Sequence, residues 1–328
     1  MISKRGRIIE LIAQGTIPED KIGETLMAVG VTPTARAWRK FLDQLLLWLG
    51  GLSLAVAVLF FIAYNWQDLG RFAKFGLVEG LMALTVIVYC RLGAQAIAGK
   101  VALLGATILL GVLLALYGQT YQTGVDPWQL FFLWALMMLP WAFIGRLPAL
   151  WIIWLALLNI SLILYHRLFQ GDFWFLGDSG AAMYWQVFIL NTLAQGGWEL
   201  SAGKRHRLSR RWPVRLLAIG GGLPITLLVL MAILDHHGTD LAAVPVWLAW
   251  LTAVYVVYRK IKPDLFMLAE GCLSGITVIV LFFSKQVLRD ADAGGFLFLA
   301  LLVVCLGAGA AFWLNHIHQG EAGHEPLD

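Results

Sequence analysis

Apolar runs of about eighteen uncharged residues recur along the chain, and polar residues gather in the short gaps between them. A bilayer core about 30 Å thick takes ~20 apolar residues per helical span, so each run predicts a crossing helix. The runs fall near 44-64, 72-90, 100-118, 128-145, 148-166, 183-200, 216-235, 241-258, 264-284 and 294-314, ten in all. Leu45 to Tyr64, Val101 to Tyr117 and Gly294 to Leu314 carry no charge, whereas 183-200 is interrupted by Asn191, Gln195, Gly196 and Gly197. Ahead of the first run the pattern changes. Ile8, Leu11 and Ile12 share a helical face, and Thr16 with Glu19 has capping-box spacing before Ile22, Leu26 and Val29. Residues 1-43 thus read as a cytoplasmic amphipathic segment, a short helical hairpin packed on the membrane domain. Residues 44-314 read as the ten-helix transmembrane domain, and 315-328, with Gly320, Gly323 and Pro326, as a disordered cytoplasmic tail. The fold class is all-α, polytopic and membrane-embedded.

The gaps differ in charge. One side collects Lys4, Arg5, Arg7, Lys21, Arg36, Arg39, Lys40, Arg91, Lys100, Arg146, Lys204, Arg205, Arg207, Arg210, Arg211, Arg215, Arg259, Lys260 and Lys262; the other has Arg71, Lys74, Arg167, Lys285 and Arg289. Basic residues are retained on the cytoplasmic side of short loops, so nineteen against five puts both termini in the cytoplasm and makes the span number even. The composition, 60% apolar and 13% charged with mean hydropathy +0.77, excludes a water-soluble fold, which carries about 45–50% and about 25%. The net charge of +4 is then a topology signal and implies no nucleic-acid partner. The expected surroundings are membrane lipids. Cys90, Cys272 and Cys305 are far apart in apolar stretches, which argues against a disulfide framework or a thiolate metal site. No cleavable signal is read in the first forty residues, which mix charges with isolated apolar positions. Trp66, Trp128, Trp151, Trp185 and Trp198 gather near span ends as an interfacial belt.

Two polar stretches fall on the non-cytoplasmic side of this topology, after the first and third runs. One runs from Tyr64, Asn65 and Trp66 through Asp68 and Arg71 to Lys74; the other holds Gln119, Tyr121, Gln122 and Asp126. Amides and phenols at the lip of a membrane domain are satisfied by water, by one another or by a ligand, because hydrocarbon offers them nothing. Tyr64, Asn65, Trp66, Asp68, Gln119, Tyr121, Gln122 and Asp126 are therefore the candidate binding cluster, with Arg71 and Lys74 as counter-charges.

The residues Phe61-Ile62-Ala63-Tyr64-Asn65-Trp66, then Lys74-Phe75 leading to Glu79, then Gly118-Gln119-Thr120-Tyr121-Gln122-Thr123-Gly124-Val125-Asp126-Pro127-Trp128-Gln129-Leu130-Phe131, with Trp134 and Pro140-Trp141, resemble a bacterial family of predicted membrane proteins, the domain of unknown function 2157. The likeness covers roughly the first 165 residues. It implies an inner-membrane protein without an assigned activity and makes the two outer stretches a family signature.

Glu79 and Glu270 lie inside runs, where an anion facing lipid costs several kcal/mol. Each is therefore expected to face the bundle interior. Gly76 and Gly80 flank Glu79 at small-xxx-small spacing, with Lys74 or Asn159 as its expected partner. Other motifs weigh less. Gly177-Asp178-Ser179-Gly180 lacks a fixed helix to aim its serine, and His316, His318, Glu321 and His324 sit in the tail. Asp235, His236, His237 and Asp240 read as a plain loop. Gly220-Gly221-Gly222 follows no strand and instead permits close packing or a kink before Pro224. No motif fixes a catalytic residue, a metal or a cofactor. Three functions stand: transport or lipid and small-molecule handling through an outward polar pocket; a non-transporting accessory or sensory subunit bound to another membrane protein; and a membrane enzyme such as a glycosyltransferase.

Overall fold

The computed structural model describes residues 11–12, 15–28, 34–65, 67–169, 179–202, 211–234, 242–287 and 293–322, and every regular element among them is helical. In the N-terminal segment Gly15 has φ +68°, with Gly15 N–H donating to Ile12 O at 3.0 Å and Thr16 N–H to Leu11 O at 3.1 Å. This pair of bonds ends a helix through a left-handed glycine. A 3-10 turn, Glu19–Lys21, then leads into α1, Ile22–Ala28. The residues before Leu11 that belong to the expected first arm of the hairpin lie outside the described residues.

Ten longer helices follow: α2 (Ala35–Tyr64), α3 (Arg71–Leu92), α4 (Ile97–Tyr121), α5 (Pro127–Gly145), α6 (Pro148–Leu168), α7 (Ser179–Ala202), α8 (Arg211–Leu234), α9 (Ala243–Val256), α10 (Leu265–Val287) and α11 (Ala293–Ala322). A π-helical turn, Val257–Ile261, extends α9. Each apolar run of the sequence falls on one of these helices. Among the described residues nine spans are long and apolar enough to cross a bilayer. The exception is α7, which has the length but carries the interrupting amides. The chain is an all-α polytopic membrane protein.

Two boundaries differ from the pattern of hydrophobicity. Helix α2 begins at Ala35, well ahead of its apolar run, because the Thr34 hydroxyl accepts the Ala37 N–H at 3.2 Å and caps it. Helix α11 continues through Ala322 where a disordered tail was expected from 315. Ile317 explains this: it is buried in an apolar core cluster with Trp313 and Leu314 packed beside it, so the helix keeps a packing face beyond the membrane run. Residues 323–328 lie outside the described residues.

The chain divides into two compact units. Unit 1 comprises Met1–Val125, Met138–Leu147 and Gly320–Asp328. In it α4 packs against both α2 and α3. Close approach of α2 to α4 depends on Gly51, where a Cβ would run into the Val101 side chain. Val58 and Ile62 of α2, Val78 of α3, and Leu109, Val112 and Leu116 of α4 form one buried cluster. The Tyr89 hydroxyl reaches the Ile144 carbonyl at 3.5 Å.

Unit 2 comprises Asp126–Met137 and Pro148–Gln319. Its core draws on α7 through α11, with Ile225, Leu228 and Val229 of α8 and Met267 of α10 almost wholly enclosed. Several of its buried polar groups are paired across its helices. Asn191 of α7 donates to Asn159 Oδ1 of α6 at 2.8 Å and accepts from Asn159 Nδ2 at 3.3 Å. Ser161 donates to the Trp128 carbonyl at 2.8 Å, and Trp128 packs edge-on to Tyr165.

Candidate functional site

In unit 1, Ile62 and Leu116 sit in the same buried cluster, three residues before Asn65 and Gln119 respectively. At 1.5 Å per residue, the polar stretches that follow α2 and α4 therefore leave the same end of this unit. Tyr64 is 90% exposed, and Asp68, Gln119, Tyr121 and Gln122 are exposed as well. Asn65 is half-buried and spends its amide locally: Nδ2 donates to the Phe61 carbonyl of its own helix at 2.8 Å. Gln122, with φ +45°, caps α4 in the left-handed region and donates its N–H to Gly118 O. Tyr121 packs against Tyr117 and Phe75, with centroids 4.9 and 6.0 Å apart. The Thr120 hydroxyl oxygen is enclosed without a hydrogen-bond partner.

Phe75 of α3 and Tyr121 of α4 thus meet at this rim, while the amides of Asn65 and Gln119 form no hydrogen bond to each other among the described residues. Trp66 lies outside the described residues. Asp126 belongs to unit 2, where it is half-buried at the start of α5 and its carbonyl accepts the Gln129 N–H at 3.0 Å. Of the expected counter-charges, Arg71 lies over the Phe72 ring at 5.0 Å, and Lys74 is buried, with only 7% of its surface accessible.

The expectation for Glu79 is corrected: its side chain is exposed, and nothing stands within 4 Å of where a Cβ would project from Gly76 or Gly80. Lys74 and Val78 mark the buried face of α3, and the next residue along turns by about 100° from it. The small residues thus lie on an open side of α3. Asn159, one of the two partners considered for Glu79, is engaged with Asn191.

Unit 2 contains a charged network that the hydropathy pattern did not point to. Lys262 Nζ bonds Glu199 Oε2 at 2.5 Å and the Glu199 carbonyl at 2.7 Å; Arg211 reaches Glu199 Oε1 at 3.4 Å. The Tyr258 hydroxyl donates to Glu199 Oε1 at 3.3 Å and accepts from Gln195 Nε2 at 2.9 Å. Asp264 takes Arg215 on both carboxylate oxygens, at 3.1 and 3.4 Å, and its Oδ1 also caps α10 by accepting the Phe266 N–H. Arg211 and Arg215, counted from sequence among the basic residues of the gaps, are half-exposed and each paired with a carboxylate of the same unit. Residues 203–210 of that basic run lie outside the described residues. The signal that was available is Gln195, which interrupts its apolar run because it points at Tyr258.

Glu270 lies where α8, α9 and α10 meet. A Cβ on Gly222 would run into Glu270 Oε1 and stand 2.9 and 3.0 Å from the Trp250 ring, and Oε1 is enclosed with no hydrogen-bond partner. The neighbouring glycines serve α7 similarly: a Cβ on Gly220 would stand 2.7 Å from Asn191 Oδ1, and one on Gly221 3.1 Å from Thr192 Oγ1. The glycine triplet therefore seats polar side chains from two flanking helices, which gives physical content to the close packing read from sequence.

Among the discounted motifs, Ser179 opens α7 while residues 170–178 and 235–241 lie outside the described residues. His166 is bound to Gln186 Oε1 at 3.0 Å. His316 and His318 lie on α11, and among the described residues no group of three or more His, Cys, Asp or Glu side chains is placed to hold a metal ion. Comparison with curated proteins and with solved structures finds no match. Residues 10–151, which carry both rim stretches, match the family described as Predicted membrane protein (DUF2157).

Proposed function

We propose that this chain is a multi-pass protein of the bacterial inner membrane that takes up a small polar molecule or lipid headgroup at the outward rim of unit 1 and moves it. The observation that supports the reading is the shared exit of the two polar stretches beside the Ile62 and Leu116 cluster, with Tyr64, Asp68, Gln119 and Gln122 left exposed. Amides beside aromatic rings suit the recognition of hydroxyl-rich or zwitterionic ligands, which offer donors and acceptors on an apolar frame. A purely structural role for the cluster would call for bonds between the stretches, and Asn65 instead bonds its own helix. The positive-inside count supports cytoplasmic termini, which turns this rim outward.

Purified protein in lipid vesicles, loaded in turn with sugars, amino acids and headgroup alcohols, tests the reading by counterflow of labelled solute. Exchange of one class is expected. Gln119→Ala and Gln122→Ala should reduce it about tenfold each, the worth of one hydrogen bond of about 1.4 kcal/mol, while melting within a few degrees of the parent. Absence of exchange for every class overturns transport, and variants that lose exchange only by unfolding overturn the rim as its site.

A further inference from the structure

We propose that Glu270 is a reversible proton-binding site within unit 2, seated in the notch that Gly222 leaves in α8 and closed by the Trp250 ring. The notch is occupied by the carboxyl group itself, since a single methyl at Gly222 would collide with Oε1 and with Trp250. That leaves no room at Oε1 for a hydrated ion. On the adjoining side of α10, a Cβ on Gly271 would stand 3.6 Å from both Leu251 and Val254, so α9 closes over the site there too.

The neighbouring turn provides the contrast. Ser274, four residues along α10, faces Thr226, four residues along α8, at 2.6 Å, and receives Trp247 Nε1 at 2.8 Å. The same three-helix seam that satisfies the Ser274 hydroxyl offers Glu270 Oε1 no donor.

Most charged groups on the packed elements are paired away from Glu270. On α8, Arg211 meets Glu199 and Arg215 meets Asp264. On α9 and its π-helical extension, Tyr255 stacks on Trp313, Tyr258 is held by Gln195 and Glu199, Arg259 has an interaction of its own and Lys260 is exposed. On α10, Lys285 donates to the Ile233 carbonyl, and Cys272 is a free thiol two residues on. Helix α7, packed on α8, brings only Asn191 and Thr192 to the glycine triplet. Glu270 is half-buried, and with Oε1 enclosed and offered neither a cation nor a donor the charged form is disfavoured there. A proton removes that cost without needing volume: a carboxylate oxygen bonds a proton from hydronium, which leaves as water, and the carboxyl becomes neutral until rising pH returns the proton to solvent.

The test is pH-difference infrared spectroscopy on the full chain in lipid nanodiscs, with Glu270→Gln subtracted to isolate this carboxyl from the others. The parent should show one protonated-carboxyl carbonyl band that the variant lacks, and the band should give way to a carboxylate band as pH rises. Melting should follow with the same sign: an acid held neutral by the fold loses its stabilising form on deprotonation, so the parent's melting temperature falls with rising pH relative to Glu270→Gln. Glu270→Asp keeps the acid and should displace the band, which preserves the assignment where the glutamine variant does not fold. A carboxylate band at every pH at which the protein is folded overturns the proposal, as does a protonated band that never titrates.

Discussion

At the scale of single residues, the two intramembrane glutamates show what a sequence pattern can and cannot carry. Both stood out because an ionisable group in an apolar run is costly, yet Glu270 is half-buried with Oε1 enclosed beside Gly222, and Glu79 is exposed beside two open glycines. Spacing identifies small residues but not the side of the helix on which a neighbour packs. The difference is measurable. Gly222→Ala should destabilise by about 1–3 kcal/mol, the usual cost of overpacking, whereas Gly76→Ala, which meets nothing within 4 Å, should leave melting unchanged or slightly raise it. Combining Gly222→Ala with Glu270→Ala should cost less than the two changes summed, because the clash needs both partners. The Asn159–Asn191 pair gives a second prediction. Either alanine variant strands the other amide and should lower stability by about 1–3 kcal/mol, whereas replacing both with leucine should cost less in thermal melts.

Helices were legible to the extent that hydropathy controls them. All ten long helices were anticipated from apolar runs, because in lipid a spanning segment must satisfy its own backbone. Their ends were not, because ends answer to caps and packing. Thr34 starts α2 ahead of its run, and Ile317 holds α11 past its own. The start of α2 can be checked: Thr34→Ala removes the cap and should cost about 1 kcal/mol, seen as faster amide exchange over residues 35–38 with the membrane part of the helix unaffected. Helix α7 shows the converse. Its amides weaken the hydropathy signal for the reason that makes the helix useful to the fold, since Asn191 and Gln195 turn inward to Asn159 and Tyr258.

For the molecule as a whole, the division into two units and the network around Glu199 and Asp264 were not legible, since both depend on which helices meet and not on what each contains. Orientation is a different kind of property, an expectation drawn from the gaps: alternate gaps of the expected ten-span topology hold nineteen Lys and Arg against five. Charge retention acts during insertion on residues within about 15–20 positions of a span, so short loops such as these carry it fully. The outward direction proposed for the rim of unit 1 depends on this orientation, because the same groups turned inward would meet cytoplasmic solutes. A background with Cys90, Cys272 and Cys305 replaced by serine permits a direct test, two of these native thiols being exposed. Single cysteines at Asp68 and Asp126 should react with a membrane-impermeant maleimide in spheroplasts, and one at Arg91 only after the membrane is opened. Labelling at Arg91 with protection at Asp68 and Asp126 would reverse the orientation and place the candidate ligand in the cytoplasm. Because alternation links successive gaps, agreement among the three positions also tests that α3 and α4 each cross the membrane.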